Sequence, residues 1–128
     1  MVLRDYRVWA VVGASPNPMR PSHGVAGFLK DAGYRMIPVN PTLPEGSRIH
    51  DEPVYADLAS IPETVDVVDI FRRSELAGAH VEEAIAVGAR AVWLQLGVID
   101  EAAAQRAEAA GLDVVMDRCP KIEYPRFF

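Results

Sequence analysis

The chain has 128 residues, half of them hydrophobic, and it carries 13 Lys and Arg residues against 18 Asp and Glu residues. Domains span roughly 100–200 residues, so we expect a single domain over residues 1–128. The net charge of −5 argues against nucleic acid or an anionic membrane as the main partner, because both favour a basic surface.

Cysteine usage and the N-terminal residues indicate the compartment. Cys119 is the only cysteine, so no disulfide can form within the chain. Charged residues appear at once, at Arg4 and Asp5, unlike the apolar core of a signal peptide. The longest uncharged run, residues 8–19, contains prolines and is shorter than the ~20 apolar residues that span a bilayer. We expect a cytoplasmic protein in a reducing compartment.

Short β-branched runs alternate with amphipathic segments whose apolar residues recur at helical spacing. In chain order we expect a strand at 8–12, a helix from the N-cap Ser22 to Gly33, a strand at 34–39, a short edge strand at 54–55, a helical turn at 57–60, a strand at 65–71, a helix from the cap Ser74 to near Gly88, a strand at 91–96, a helix from the cap Asp100 to Gly111, a strand at 112–116 and an irregular tail.

This alternation of strands and helices determines the expected fold class. Parallel strands joined by helices require right-handed crossovers, which place helices on both faces of the sheet. The continuous apolar run at 8–12 is typical of a strand buried on both faces. We therefore expect an α/β fold with a doubly wound, mainly parallel, Rossmann-like sheet of five to six strands.

Ligands of open parallel sheets bind at the carboxyl ends of the strands, where the strand order reverses. The segments that follow the predicted strands are 13–15, 40–41, 71–73, 95–97 and 117–120. They are rich in Gly, Ser, Asn, Gln and Arg, which suits a ligand that bears phosphate groups. Arg20, Arg72 and Arg73 are candidate phosphate partners, since a guanidinium offers two donors to phosphate oxygens.

The loop that begins at Gly13 permits a tight turn, and the helix after it can direct N–H groups at an anion. Residues 13–18 lack the second glycine of a dinucleotide-binding fingerprint, and no Gly-Lys-Ser or Gly-Lys-Thr marks a phosphate loop. An NAD site usually has an acid after the second strand, where this chain has Asn40. That weakens the case for NAD and suits a ligand with a phosphorylated ribose.

Five motifs in this order resemble the stand-alone CoA-binding proteins: Val-Val-Gly-Ala-Ser at 11–15, Pro-Val-Asn-Pro at 38–41, Val-Asp-Ile-Phe-Arg at 68–72, Trp-Leu-Gln-Leu-Gly at 93–97 and Asp-Arg-Cys-Pro at 117–120. The resemblance extends over most of the chain, and the family is similar to the N-terminal CoA-binding domain of the succinyl-CoA synthetase α subunit. The phosphohistidine of that synthetase lies in a second domain, so the resemblance implies binding and not ligase chemistry.

The resemblance implies coenzyme A with its pyrophosphate over residues 13–15, its adenosine half beside 39–40, and the rest of its path near 71–72 and 95–97. Cys119 lies between Arg118 and Lys121, which would favour its thiolate beside the CoA thiol. The candidate ligand-binding residues are Gly13, Ala14, Ser15, Arg20, Ser22, Val39, Asn40, Pro41, Phe71, Arg72, Gln95, Gly97 and Cys119.

No spacing indicates an acid–base pair or a metal site, and we assign no function to His50 or His80. We expect a protein that binds CoA or acyl-CoA without catalysis of its own. Two alternatives stay open: an NAD(P)-binding domain of the oxidoreductase type, and an interaction subunit with a vestigial nucleotide site. The sequence also leaves open a homo-oligomer or a partner protein.

Overall fold

The computed structural model describes residues 2–128. The strands are β1 Val8–Val12, β2 Arg35–Val39, β3 Arg48–Ile49, β4 Glu52–Pro53, β5 Val67–Ile70, β6 Ala91–Gln95 and β7 Asp113–Arg118. The helices are α1 Val2–Asp5, α2 Pro21–Asp31, α3 Ser74–Ala86, α4 Glu101–Ala109 and α5 Pro120–Glu123, followed by a 3₁₀ helix at Tyr124–Arg126. Within this range, none of the helices has the length and hydropathy that spanning a membrane requires.

The main sheet has five strands in the order β2-β1-β5-β6-β7, and every neighbouring pair is parallel. The strands β3 and β4 form a separate antiparallel pair. The chain adds β2 on one side of β1 and then returns to add the other strands on the opposite side. The strand order therefore reverses between β1 and β5, which is where a doubly wound sheet receives its ligands. The predicted α/β fold class is confirmed.

Side chains of each strand alternate between two apolar layers. In β1, Trp9 and Val11 belong to the layer that contains α2, whereas Ala10 and Val12 belong to the layer that contains α3 and α4. All four side chains are buried. Burial on both faces explains why the strand is continuously apolar in sequence, and helices cover both faces as predicted.

The start of α2 differs from the prediction. The helix begins at Pro21, and its N-cap is Arg20, which makes no side-chain capping hydrogen bond. Ser22 lies inside the first turn and is buried, so its prediction as the N-cap is wrong. Proline has the backbone angle that the first helical position requires, which explains the earlier start. The predicted Asp100 cap of α4 is confirmed, since its carboxylate accepts a hydrogen bond from Ala103 N–H at 3.0 Å.

Other local predictions also need correction. Ser74 is the first residue of α3 rather than its cap. The edge strand expected at 54–55 is reduced to a single parallel bridge between Tyr55 and Val39 of β2. Residues 57–60 form a non-helical turn. The tail is not irregular, because α5 and the 3₁₀ helix bring Tyr124 against Phe28 with ring centroids 5.2 Å apart.

Candidate functional site

A cleft of about 680 Å³ opens where the strand order reverses, at the carboxyl ends of β1, β5 and β6. Gly13, Phe71 and Gln95 line it, and each of them ends or directly follows one of these strands. The loop before α2 and the first turns of α2 and α3 supply further lining residues. A smaller cavity of about 240 Å³ shares Gly13 and Arg72 with this cleft.

The structure brings most of the predicted site residues together. Those that line the larger cleft are Gly13, Ser15, Arg20, Ser22, Asn40, Phe71, Arg72 and Gln95. Val39 and Pro41 line the smaller cavity. Ala14, Gly97 and Cys119 line neither of the two.

Gly13 is the residue on which the local geometry of the edge depends. Its φ of +85° lies in the region that favours glycine, and a Cβ atom there would lie 2.5 Å from the Phe71 carbonyl oxygen. The ends of β1 and β5 therefore approach each other more closely than any other residue at this position would permit.

The N–H groups of the loop after β1 are largely used within the protein. Gly13 and Ala14 N–H both donate to the Val39 carbonyl oxygen, at 3.0 and 3.3 Å. Ser15 N–H donates to no backbone carbonyl of the described residues. This narrows the prediction that the N–H groups of residues 13–15 hold a pyrophosphate, because only one of them is open to a ligand.

Asn40 lines the cleft, but its side-chain amide is engaged on both sides. Its Nδ2 donates to the Ala14 carbonyl oxygen at 2.8 Å, and its Oδ1 accepts from Thr42 N–H at 2.9 Å. Asn40 thus joins the loop after β1 to the loop after β2. A carboxylate could not make the first of these bonds, which gives a structural reason for an amide at the position where an NAD site has an acid.

Two arginines at the cleft carry charge that no other described residue neutralises. The guanidinium groups of Arg20 and Arg72 make no hydrogen bond and no ion pair within residues 2–128, whereas Arg73 Nε lies 3.5 Å from Glu75 Oε1. The first turn of α2 contains no acidic residue, so the positive end of that helix dipole is uncompensated. The edge can therefore accept a polyanionic ligand.

Two buried polar side chains near the cleft have no partner among the described residues. Gln95 is 6% exposed and lines the cleft, and its Oε1 accepts no hydrogen bond. Asp69 in β5 is fully buried, both of its carboxylate oxygens are unpartnered, and burial raises the pKa of that carboxyl well above its ordinary value. Unpartnered buried oxygens are rare in folded proteins.

Asp69 shares one face of the sheet with two of the residues that line the cleft. It is in register with Val11 of β1 and Trp93 of β6. Because side chains alternate along a strand, Asp69 shares its face with Phe71 and Gln95, one pleat further from the edge. Asp69 belongs to the motif at 68–72 that resembles the CoA-binding proteins. Nothing in the spacing of that motif predicted a function for its carboxyl group.

Cys119 lies in the core rather than at the cleft. It is 8% exposed and belongs to the apolar layer that contains Trp9 and Trp93. The Trp93 indole Nε1–H donates to the Arg118 carbonyl oxygen at 2.8 Å, which fixes the backbone directly before Cys119. The position of this thiol is that of a small core side chain, and not that of a thiolate beside the CoA thiol.

Sequence reasoning found Phe71 and the segment that contains Leu96, but it missed three other apolar residues of the larger cleft. Leu43, Leu76 and Val98 line it together with Leu96, whose side chain is 58% exposed. Leu76 and Val98 look like ordinary core residues in sequence, since each belongs to an apolar pattern. Only their distance from the strand ends distinguishes them as cleft residues, and for Leu76 that distance depends on where α3 begins.

Residues 7–125 match the family model described as the CoA binding domain. The chain belongs to this family. Its cleft and its unpaired arginines thus occur in a CoA-binding domain whose motifs the sequence already resembled.

The relatives of this CoA-binding domain include proteins of unassigned function. The chain is 39% identical over 123 residues to the uncharacterized protein YneT of Bacillus subtilis (strain 168), covering 96% of this chain and 89% of YneT. The structure of a hypothetical protein from Pyrococcus horikoshii OT3 is 37% identical with a TM-score of 0.90, covering 97% of this chain and 85% of that one. A Thermus thermophilus structure, cell-free ID.343, is 36% identical with a TM-score of 0.92, covering 98% and 93%.

Proposed function

We propose that this protein binds coenzyme A or an acyl-CoA across the carboxyl edge of its sheet, and that binding rather than catalysis is its function. The observation that carries the proposal is the pair of cavities that meet at Gly13 and Arg72, where the strand order reverses. A ligand with two dissimilar ends joined by a diphosphate matches such a pair. Family membership makes CoA the first candidate.

The smaller cavity suits the adenosine end of the ligand. Val12, Val39, Pro41 and Leu58 give it predominantly apolar walls, as a planar base requires. Arg72 lines both cavities and has no protein partner among the described residues, so it is positioned for a phosphate at their junction.

The larger cleft suits the diphosphate and the pantetheine arm. Arg20, Ser15 N–H and Ser22 N–H offer donors for phosphate oxygens, since Pro21 has no N–H and His23 N–H donates to the Arg20 carbonyl oxygen at 3.0 Å. Leu76, Leu96 and Val98 supply apolar contacts for the arm. The unpartnered Gln95 Oε1 can accept a hydrogen bond from one of its amide N–H groups.

The composition of the larger cleft supports binding without chemistry. Among the residues that line it, none is an aspartate, glutamate, histidine, cysteine, lysine or tyrosine. General acid–base catalysis relies mainly on those residue types, and the hydroxyls that line the cleft, those of Ser15, Ser22 and Thr42, need one of them as a base to become nucleophiles. In this proposal a thioester at the end of the arm therefore meets no activated nucleophile.

The test is a calorimetric titration of the protein with CoA, acetyl-CoA, NAD and ADP. We expect CoA and acetyl-CoA to bind with similar affinity and NAD at least about tenfold more weakly, since NAD lacks the pantetheine arm and the ribose phosphate. Tighter binding of NAD than of CoA would instead identify an oxidoreductase-type domain. Failure to bind any of the four, together with a stable protein complex in a pull-down, would identify an interaction subunit with a vestigial site.

A further inference from the structure

The smaller cavity has apolar walls but one polar flank. The polar side chains that line it, apart from Arg72, are Asp57, His80 and Glu83. His80 and Glu83 lie one turn apart on α3, and Asp57 lies in the turn that precedes β5. None of the three is needed to explain the phosphate contacts proposed above.

The contact between His80 and Glu83 determines what this flank can do. His80 Nδ1 lies 2.8 Å from Glu83 Oε1. A carboxylate can only accept, so Nδ1 carries the proton and donates it. In the neutral ring Nε2 then has a free lone pair, and Glu83 keeps its second oxygen. The pair therefore offers hydrogen-bond acceptors to the cavity.

Asp57 has the same character. Its Oδ1 accepts from Ser60 N–H at 2.8 Å, which holds the carboxylate in place and leaves its other oxygen open. An apolar cavity with acceptors along one flank fits a planar ring that carries an amino group. It does not favour a ring that presents a carbonyl oxygen to that flank, because two acceptors would then face each other.

We propose that Glu83, positioned by His80, accepts a hydrogen bond from the exocyclic 6-amino group of the adenine base and so selects adenine nucleotides. This inference rests on the proposed function, because it concerns the base of the same ligand. Glu83 is a specificity-determining residue here, and His80 is a positioning residue that fixes one of its oxygens.

The experiment compares CoA with the analogue in which hydrogen replaces the adenine 6-amino group, at pH 8 by calorimetry. We expect the wild-type protein to bind the analogue at least about tenfold more weakly, the scale of a lost hydrogen bond to a charged group. In Glu83→Leu the two ligands should bind almost equally. Glu83 is 40% exposed, so this variant should stay folded, and circular dichroism verifies that.

Glu82→Leu is the matched control, because Glu82 is the preceding residue of α3 and contacts Arg106 instead of the cavity. It should keep the full preference for CoA. Equal affinity of wild-type protein for CoA and the analogue overturns the inference while leaving the proposed function intact. So does a preference that survives in Glu83→Leu, since another group then reads the base.

A third ligand separates the base from the ribose. Glu83 or Asp57 could accept from the ribose 2′-hydroxyl instead, and then the 2′-deoxy analogue of CoA would bind weakly and Glu83→Leu would remove that difference. That result overturns the inference in favour of a ribose contact. Absence of CoA binding altogether overturns the proposed function, and the inference with it.

Discussion

The two ends of the parallel sheet treat their charged side chains differently. At the amino end of β2, Arg35 lies 2.6 Å from Glu52 and 2.8 Å from Glu63. At the carboxyl edge, Arg20 and Arg72 have no such partners among the described residues. One sequence thus pairs Arg35 where it holds loops together and leaves Arg20 and Arg72 open where we propose that a ligand binds. The difference indicates that the carboxyl edge is arranged for an anion from outside the chain.

The largest expected effect on stability comes from replacing Gly13 at the carboxyl edge of the sheet. Gly13→Ala places a methyl group 2.5 Å from the Phe71 carbonyl oxygen at a φ of +85°. We expect the free energy of unfolding to fall by roughly 2–4 kcal/mol, through both the left-handed backbone and the displaced strand end. Urea denaturation measures this change, and CoA titration should show a matching loss of affinity.

Gly33→Ala is the control at the amino end. Gly33 has a φ of +95°, but its new methyl group would meet only Arg7 Nη2, at an ordinary 3.5 Å. It should cost only the left-handed backbone, about 1–2 kcal/mol, and leave CoA affinity unchanged. Equal destabilisation by the two variants would show that the Phe71 contact contributes nothing.

Arginine variants separate stability from binding. Arg72→Ala should weaken CoA binding by roughly 1.5–3 kcal/mol, because a charge-assisted bond to phosphate is lost, and should leave the free energy of unfolding nearly unchanged. Arg35→Ala should do the reverse. Its ion pairs are partly exposed and screened by solvent, so we expect a loss of about 0.5–1 kcal/mol in stability and none in CoA affinity.

Calorimetry measures the CoA affinity of Arg72→Ala and Arg35→Ala, and urea denaturation measures their stability. A loss of stability in Arg72→Ala without a loss of affinity would place that guanidinium in the fold instead of the ligand site. Equal affinity of wild-type protein for CoA and its 3′-dephospho form would show that no residue reads the ribose phosphate.

Much of the fold could be predicted because its signals are local. The strand β1 has the bounds that its apolar run predicted. The helices α2, α3 and α4 each end two residues before the glycine that marked their predicted end. These signals depend on the physics of one segment. The location of the cleft also followed, because a parallel sheet brings all its carboxyl ends to one edge.

What sequence could not show depends on contacts between segments. Ser22 looks like a helix cap, but Pro21 determines where α2 begins. The N–H groups of Gly13 and Ala14 look free for phosphate, yet the end of β2 lies close enough for Val39 to accept both. Cys119 follows the last strand, but α5 takes the chain back over the core. None of these outcomes has a signature within its own segment.

The buried carboxyl of Asp69 should make the stability of the protein depend on pH. Because burial raises the pKa of Asp69, the folded protein keeps a proton that the unfolded chain releases above about pH 4. Stability should therefore fall as pH rises above that value, by at most about 1.4 kcal/mol per pH unit, until the folded carboxyl also ionises. Asp69→Asn should remove this slope and be more stable than wild type at neutral pH.

Glu52, at the amino end of the sheet, should contribute a pH dependence of stability of the opposite sign, and Glu52→Gln should remove it. Burial alone would raise the pKa of Glu52, but hydrogen bonds from Lys30 and Arg35 hold it below its ordinary value. Its contribution to stability is present above about pH 4.5 and is lost as pH falls through the lowered pKa. Unfolding curves of the wild-type protein and both variants, measured from pH 3 to pH 8, distinguish the contributions of Asp69 and Glu52. If the fall in stability with rising pH persists in Asp69→Asn, Asp69 is not its cause.

The smallest expected effect concerns Gln95, the buried acceptor at the cleft. Gln95→Met keeps a side chain of similar length and removes an oxygen that no described residue satisfies. We expect stability without ligand to stay equal or rise, because an unpartnered polar group no longer has to be buried. CoA affinity should fall about threefold to tenfold, the scale of one neutral hydrogen bond. Gln105→Met, on the exposed side of α4, is the control and should change neither quantity. A variant at Gln95 that gains stability and keeps full affinity would mean that the ligand leaves this oxygen unsatisfied, and that the arm follows another path through the cleft.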